Sequence, residues 1–151
     1  MTPDQLAALK AEVQADPEGL GYAQYLPAAP GMVCELLNRQ STTTVKSRVV
    51  TARTVLSECG AGAAAILDKL EASSPSISEV KWAMRFITGD GLDVGHAVTQ
   101  AQIQALVPPG VLTQAEADAL KSLALQPCSR AEKLGLPLVT EADLRDAEVL
   151  Q

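Results

Sequence analysis

Aromatic side chains are scarce in this chain. Tyr22, Tyr25, Trp82 and Phe86 make up 3% of its 151 residues, while 47% are hydrophobic. An interior built mainly from Ala, Leu and Val buries little area per side chain, so many short elements must share it. So few rings also argue against a stacking platform for single-stranded nucleic acid or RNA, which needs exposed aromatics. Histidine is rarer still: His96 stands alone. It has no second His or Cys nearby in sequence to complete a metal site, and no nucleophile can be nominated beside it. A structural or capping role is expected for it.

Cysteine is sparse and unpatterned. Cys34, Cys59 and Cys128 offer no C-x-x-C spacing, which excludes the usual zinc and redox motifs. An odd count without a framework points to a reducing compartment. No apolar run approaches the roughly 18 residues of a membrane span, and the N-terminus reads as a helix instead of a charged-then-apolar leader. No membrane partner is expected. Ser41, Ser47 and Ser57 lie in no G-x-S-x-G elbow. Gly89-x-Gly91-x-x-x-Gly95 lacks the spacing and preceding parallel strand of a dinucleotide loop, and it has no Gly-Lys-Ser/Thr. Its Asp90 and Asp93 lack the distal bidentate Glu of a calcium loop. It reads as a helix connector. The chain is therefore expected to be no enzyme, with no catalytic residue, no cofactor and no metal.

Positive charge is in deficit too. The net charge of −6 repels nucleic-acid phosphates, so nucleic acid is not the expected partner. The cations are unevenly placed. Arg39, Lys46, Arg48 and Arg53 fall between Leu36 and Ser57 with no acid among them, which leaves the rest of the chain at −10. From Glu141 to Gln151 four acids face Arg145 alone. Opposite-signed regions suit head-to-tail contact with a neighbouring copy or pairing within the chain; an unevenly charged solvated surface is the plain alternative.

What the chain does have is helix starts. Thr2-Pro3-Asp4-Gln5, Ser76-Ile77-Ser78-Glu79, Thr113-Gln114-Ala115-Glu116, Ser129-Arg130-Ala131-Glu132 and Thr140-Glu141-Ala142-Asp143 each set a hydroxyl three residues before an acid or amide. That spacing lets the hydroxyl and the third helical residue exchange hydrogen bonds, with the acids placed at the positive end of the helix dipole. Helices are expected over Pro3 to about Ala15, Pro30 to Asn38, Thr51 to near Gly60, and Gly62 to Ala72. Further helices follow over Ser78 to Ile87, Gln100 to Val107, Gln114 to Leu125, Arg130 to Leu134, and Glu141 to Glu148. In the Ser78 helix the apolar stripe is Val80, Ala83, Phe86 and Ile87. Trp82 sits one position off it and should pack at a boundary.

Thr42 to Val50 is different: β-branched and partly alternating, it is the one segment that reads as a strand. It is either an extended arm or hairpin, or else loop or helix. If extended, Lys46 and Arg48 share a face beside a Val face. Arg39, Lys46, Arg48 and Arg53 are the candidate contact residues, with an ordinary solvated edge as the competing reading. The fold class expected is mainly α: a single domain over residues 1–151, a compact bundle of short helices with one possible arm or β-hairpin near residues 42–50.

Several stretches resemble a known group. They are Leu6-x-x-Leu-Lys10-Ala-Glu12-x-x-x-Asp16-Pro17-x-Gly19-x-Gly21-Tyr22, Arg48-Val-Val-Thr51-Ala52-Arg53 and Ala64-Ala-Ile66-Leu-Asp68-Lys-Leu70-Glu, then Val80-Lys-Trp82-Ala-Met84-Arg85-Phe86 and Ser129-Arg130-Ala131-Glu132-x-Leu134-Gly135. Together they resemble a family of small uncharacterised proteins of tailed bacteriophages and prophages, encoded among virion structural genes. The resemblance spans nearly the whole chain and carries over no catalytic residue. It implies a structural component of the virion, an accessory or adaptor subunit of tail, fibre or neck, made in the host cytoplasm. Its partners would be other virion proteins and copies of itself in a symmetric assembly. Tyr22, Tyr25 and Trp82 are the candidate aromatic anchors for such contacts. Two alternatives remain beside it: a non-virion phage protein that binds and inhibits a host factor, and a DNA-packaging or DNA-binding accessory using the Arg39 to Arg53 segment.

Overall fold

Hydroxyl caps start the helices. In the computed structural model, which describes residues 1–150, Thr2 caps α1 (Pro3–Ala15) by accepting from the Gln5 N–H, and the Gln5 side chain reaches back to the Thr2 N–H. α2 (Pro30–Asn38) begins instead on a proline at its first position, where a missing N–H does no harm. The chain continues through β1 (Gln40–Val45), β2 (Val49–Val50), α3 (Ala52–Glu58), α4 (Ala63–Ser73) and α5 (Ser78–Thr88). Then come β3 (Leu92–Asp93), α6 (Ala97–Ala105), α7 (Gln114–Ser122), β4 (Leu125–Ser129), α8 (Arg130–Lys133) and α9 (Glu141–Asp146). The fold is mainly α, as expected.

Reciprocal boxes also start α7 at Thr113 and α9 at Thr140, and Ser129 accepts from the Glu132 N–H at the head of α8. α3 has a box the spacing rule did not include, Thr51 with Thr54, where a second hydroxyl does the work of the acid. Ser76 does not cap. The N–H groups of Ser76 and Ile77 both turn back to the Ser73 carbonyl, at 3.1 and 3.0 Å. That turn closes α4, so α5 starts at Ser78 with Ile77 before it and no side-chain cap. His96 does cap: its Nδ1 accepts from the Val98 N–H at 3.3 Å and starts α6.

The Thr42–Val50 segment is extended, but its two halves pair with distant partners. β1 pairs with β4, and β2 runs antiparallel to β3, with Val49 opposite Asp93 and Val50 opposite Leu92. β4 falls partly where a helix tail was expected. Pro127 lacks an N–H and pushes its predecessor out of the helical region, so Leu125–Ser129 becomes a strand.

Contacts divide the chain into two compact units. The first joins Met1–Thr44 to the residues from Pro127 onward; the second is Val45–Gln126. The first has its own core of Leu9, Val13, Tyr22, Val33, Leu37 and Leu144 with smaller neighbours. At its centre the Arg130 guanidinium forks onto Glu12: Nε donates to Oε1 at 2.7 Å and Nη2 to Oε2 at 2.8 Å. Nη1 donates to Glu18 at 2.8 Å, and the Tyr22 hydroxyl donates to Glu12 at 3.2 Å. The Glu12 side chain is 3% exposed and that of Arg130 11%. Asn38 ties in the last loop, its amide donating to the Val139 carbonyl at 2.8 Å and accepting from the Val139 N–H at 2.9 Å.

The second unit packs Val50, Val55, Ile66, Leu70, Val80, Ile87, Val94, Ile103, Leu112 and Leu120 into a separate core. Asp93 organises its entry. One carboxylate oxygen accepts from the backbone N–H groups of Arg48 and Gly95, both at 2.9 Å, and the other from the Ser47 hydroxyl at 2.7 Å. Gly95 has to be glycine, because any Cβ there would overlap the Lys46 carbonyl. The Gly-rich link is thus a connector shaped around the strand it pairs with.

Two outcomes follow from these networks. Arg130→Met strands a buried carboxylate, and urea unfolding should show a loss of about 3–5 kcal/mol; an unchanged midpoint would remove the fork from any structural role. Across the second unit, Lys69 donates to both Glu116 oxygens at 2.7 and 2.9 Å. These bonds, helped by the Thr113 N–H, hold the Glu116 carboxyl at about 2, against an ordinary 4.5. A depressed folded-state value gives stability that is present above the unfolded pKa and is lost as pH falls from about 4.5 towards 2. Lys69→Met should flatten that part of the stability–pH curve, and a curve of unchanged shape would sink the assignment.

Candidate functional site

Among the described residues the two exposed aromatic side chains both lie on α5. Trp82 is 54% exposed and Phe86 50%, one turn apart on the same face. Both correct an expectation. Phe86 was read into the buried stripe and Trp82 at a boundary, whereas the buried residues of α5 are Val80 and Ile87. Phe86 lies 100° around the helix from Ile87, so turning Ile87 inward carries Phe86 out. The Arg85 guanidinium lies over the Trp82 ring, 4.7 Å from its centroid, and holds the indole by a cation–π contact.

Beside this pair runs a groove of about 340 Å³, lined by Ala83, Leu92 and Gln102 together with the two rings. Its lining is shared with a small apolar cavity of about 60 Å³ between Val80, Met84, Ile87, Val94, Ile103 and Leu106. Glu79 stands at the border of both. Lys81 and Arg85 are exposed, and neither forms an ion pair among the described residues. The one charged residue in the lining of the slot is thus Glu79, while the two cations lie elsewhere on α5.

The other candidates from the sequence are distributed differently. Tyr22 is fully buried and is no surface anchor; its ring fills the first core and its hydroxyl is held by Glu12. Burial, then the Glu12 carboxylate, pushes its ionisation far above the usual phenol range. Tyr25 is half-buried against the same core. The basic segment is also inverted. Lys46 and Arg48 do fall on one side of the chain, but that side is half-buried, while Val45 and Val49 are 46% and 60% exposed. Arg48 donates to the Leu123 carbonyl at 2.8 Å and pairs with Glu58, which satisfies the head of a side chain whose stem is covered. The Lys46 N–H donates to the Ala124 carbonyl at 3.0 Å. Arg39, just past α2, and Arg53, in the first turn of α3, remain exposed.

No family model, curated protein or solved structure matches the chain. Its own chemistry therefore has to speak for it. Among the described residues no group of three or more His, Cys, Asp or Glu could hold a metal ion, and no helix is long and apolar enough to cross a membrane. All three cysteines are free. Burial raises the Cys34 and Cys59 thiols, with nearby carboxylates adding to it, which keeps both as poor nucleophiles. His96 commits its Nδ1 lone pair to the α6 cap. What the α5 surface can do is bind: two half-exposed rings and an adjoining slot suit an apolar group.

As the chain has a single tryptophan, its fluorescence reports this surface directly. Acrylamide should quench Trp82 in the folded protein nearly as well as in urea. Strong protection in the folded state would mean that the ring is covered.

Proposed function

We propose that the chain is a non-enzymatic structural subunit of a tailed-phage virion, an accessory or adaptor of tail, fibre or neck that acts through protein contacts. The resemblance of its motifs to small tailed-phage proteins supplies the setting. The observation that carries the contact role is the Trp82–Phe86 pair on α5. In a chain with four aromatic residues, half of them stand half-exposed beside an open slot. Aromatic side chains of this kind dominate the energy of protein interfaces, and exposing them in water has no stabilising value for an isolated chain. The cations Lys81 and Arg85 would set register and speed the encounter.

The withdrawal of Arg48 into bonds with Leu123 and Glu58 weighs against the DNA-contact alternative, since it takes one of the four cations of that segment out of play. Particles purified from a lysogen or infected culture encoding the chain decide the matter. Quantitative mass spectrometry should find it at a fixed ratio to known virion proteins, and Trp82→Ala with Phe86→Ser should reduce its incorporation at least about tenfold while leaving its helical circular dichroism intact. Abundance in the lysate together with absence from particles would overturn the virion role and favour a host-side target.

A further inference from the structure

We infer that the α5 groove and the cavity adjoining it form a binding site for a small organic ammonium ion, which enters hydrocarbon first. The inference goes beyond the virion reading. Every residue in it belongs to Val45–Gln126, so it asks for no particular placement of the two units.

Charge sits at one point of the lining. Glu79 is the one charged residue in the walls of either space. It is exposed and forms no ion pair among the described residues. At about 100° per residue, Trp82, Ala83 and Phe86 lie within about 60° of Glu79 around α5, whereas Lys81 and Arg85 lie more than about 100° away. The groove thus opens on the acidic side of the helix. Ser78 and Gln102 also line it, and the side chain of neither is bonded to another described residue. Carboxylate, hydroxyl and amide carbonyl together offer acceptors for the three N–H donors of an ammonium group. The Phe86 ring beside them adds a face that attracts a cation.

The hydrocarbon has its own place. The cavity shares Glu79, Ala83, Leu92 and Gln102 with the groove. Apart from Glu79, Gln102 and Thr99 its walls are apolar, and Val80, Ile87, Val94 and Ile103 are buried there. Its volume of about 60 Å³ corresponds to about four to six water-sized groups, enough for a short alkyl chain.

The order of these features selects the ligand. A free alkylammonium ion puts its hydrocarbon in the cavity and keeps its charge beside the exposed Glu79, so that no charge is buried unpaired. A lysine side chain of a partner protein runs the other way. It is anchored at its apolar end, and its ammonium would lead into the aliphatic interior. An alkyl carboxylate would meet Glu79 with like charge.

The fluorescence of Trp82, which lines the groove and is the chain's single tryptophan, tests this on the full-length protein. Hexylamine, an ammonium ion at neutral pH, should give a saturable change with a Kd below about 10 mM, within reach of about seven non-hydrogen atoms. Hexanol should bind at least about fivefold more weakly, and hexanoate more weakly still. Nα-acetyl-lysine amide should not bind. Glu79→Gln should bring hexylamine down to the level of hexanol and leave hexanol unchanged. Asp4→Asn removes another exposed first-turn acid, from α1, and should change nothing, which separates the site from the overall charge of −6. A flat titration, equal affinity for hexanol, undiminished binding by Glu79→Gln, or an equal loss in Asp4→Asn would overturn the site. Acetyl-lysine amide binding as tightly as hexylamine would overturn it in favour of a partner's lysine. None of these results bears on incorporation into particles, which is measured without any amine.

Discussion

The first unit depends on one charge pair. Arg130, 118 residues away from Glu12 in sequence, spans both its carboxylate oxygens and takes Glu18 with its remaining nitrogen. Three segments that also share the apolar core are fixed to one another by it: the last turn of α1, the loop after it, and the head of α8. Tyr22 completes the arrangement from the short turn at Tyr22–Gln24. A planar fork suits this position better than an ammonium would, because it satisfies two carboxylates and both oxygens of one in a single plane. The aliphatic residues around it, small as they are, gain a defined arrangement from a polar centre in which no buried side-chain polar atom is left without a partner among the described residues.

The second unit is ordered by backbone contacts instead. The Asp93 carboxylate gathers the Arg48 N–H and the Ser47 hydroxyl from a segment about 45 residues earlier together with the N–H of its near neighbour Gly95, and the Gly95 backbone packs where no side chain could fit. Two residues of β2 against two of β3 would not hold by ladder hydrogen bonds alone. The side-chain bonds make the pairing definite, and the Val50 and Val94 side chains beside it are fully or almost fully buried.

Local chemistry was readable in the residues, and distant pairing was not. Pro3–Ala15 and Pro30–Asn38 follow from prolines at helix starts and from apolar spacing, and the boxes at Thr2, Thr113 and Thr140 are set within four residues. β3 lay hidden in a Gly-rich link because Leu92 and Asp93 carry no alternation to detect. The α5 surface failed for a different reason. Spacing shows that a helix has an apolar arc, but not which edge of the arc faces the core. Val80 and Ile87 turned in, so Trp82 and Phe86 turned out. Arg48 shows the same limit for charge, since its guanidinium is satisfied by a carbonyl 75 residues away.

The order of the two units along the chain has a consequence for synthesis. Val45–Gln126 is continuous, whereas the other unit is assembled from the stretches before and after it. During translation the inserted unit can therefore close its interior as soon as its own residues have left the ribosome. Glu12 must wait for Arg130, and until then α1 and α2 lack the late-emerging half of their shared interior, with Leu9, Val33 and Leu37 in need of protection. These apolar residues thus spend the longest time without their partners while the chain is being made.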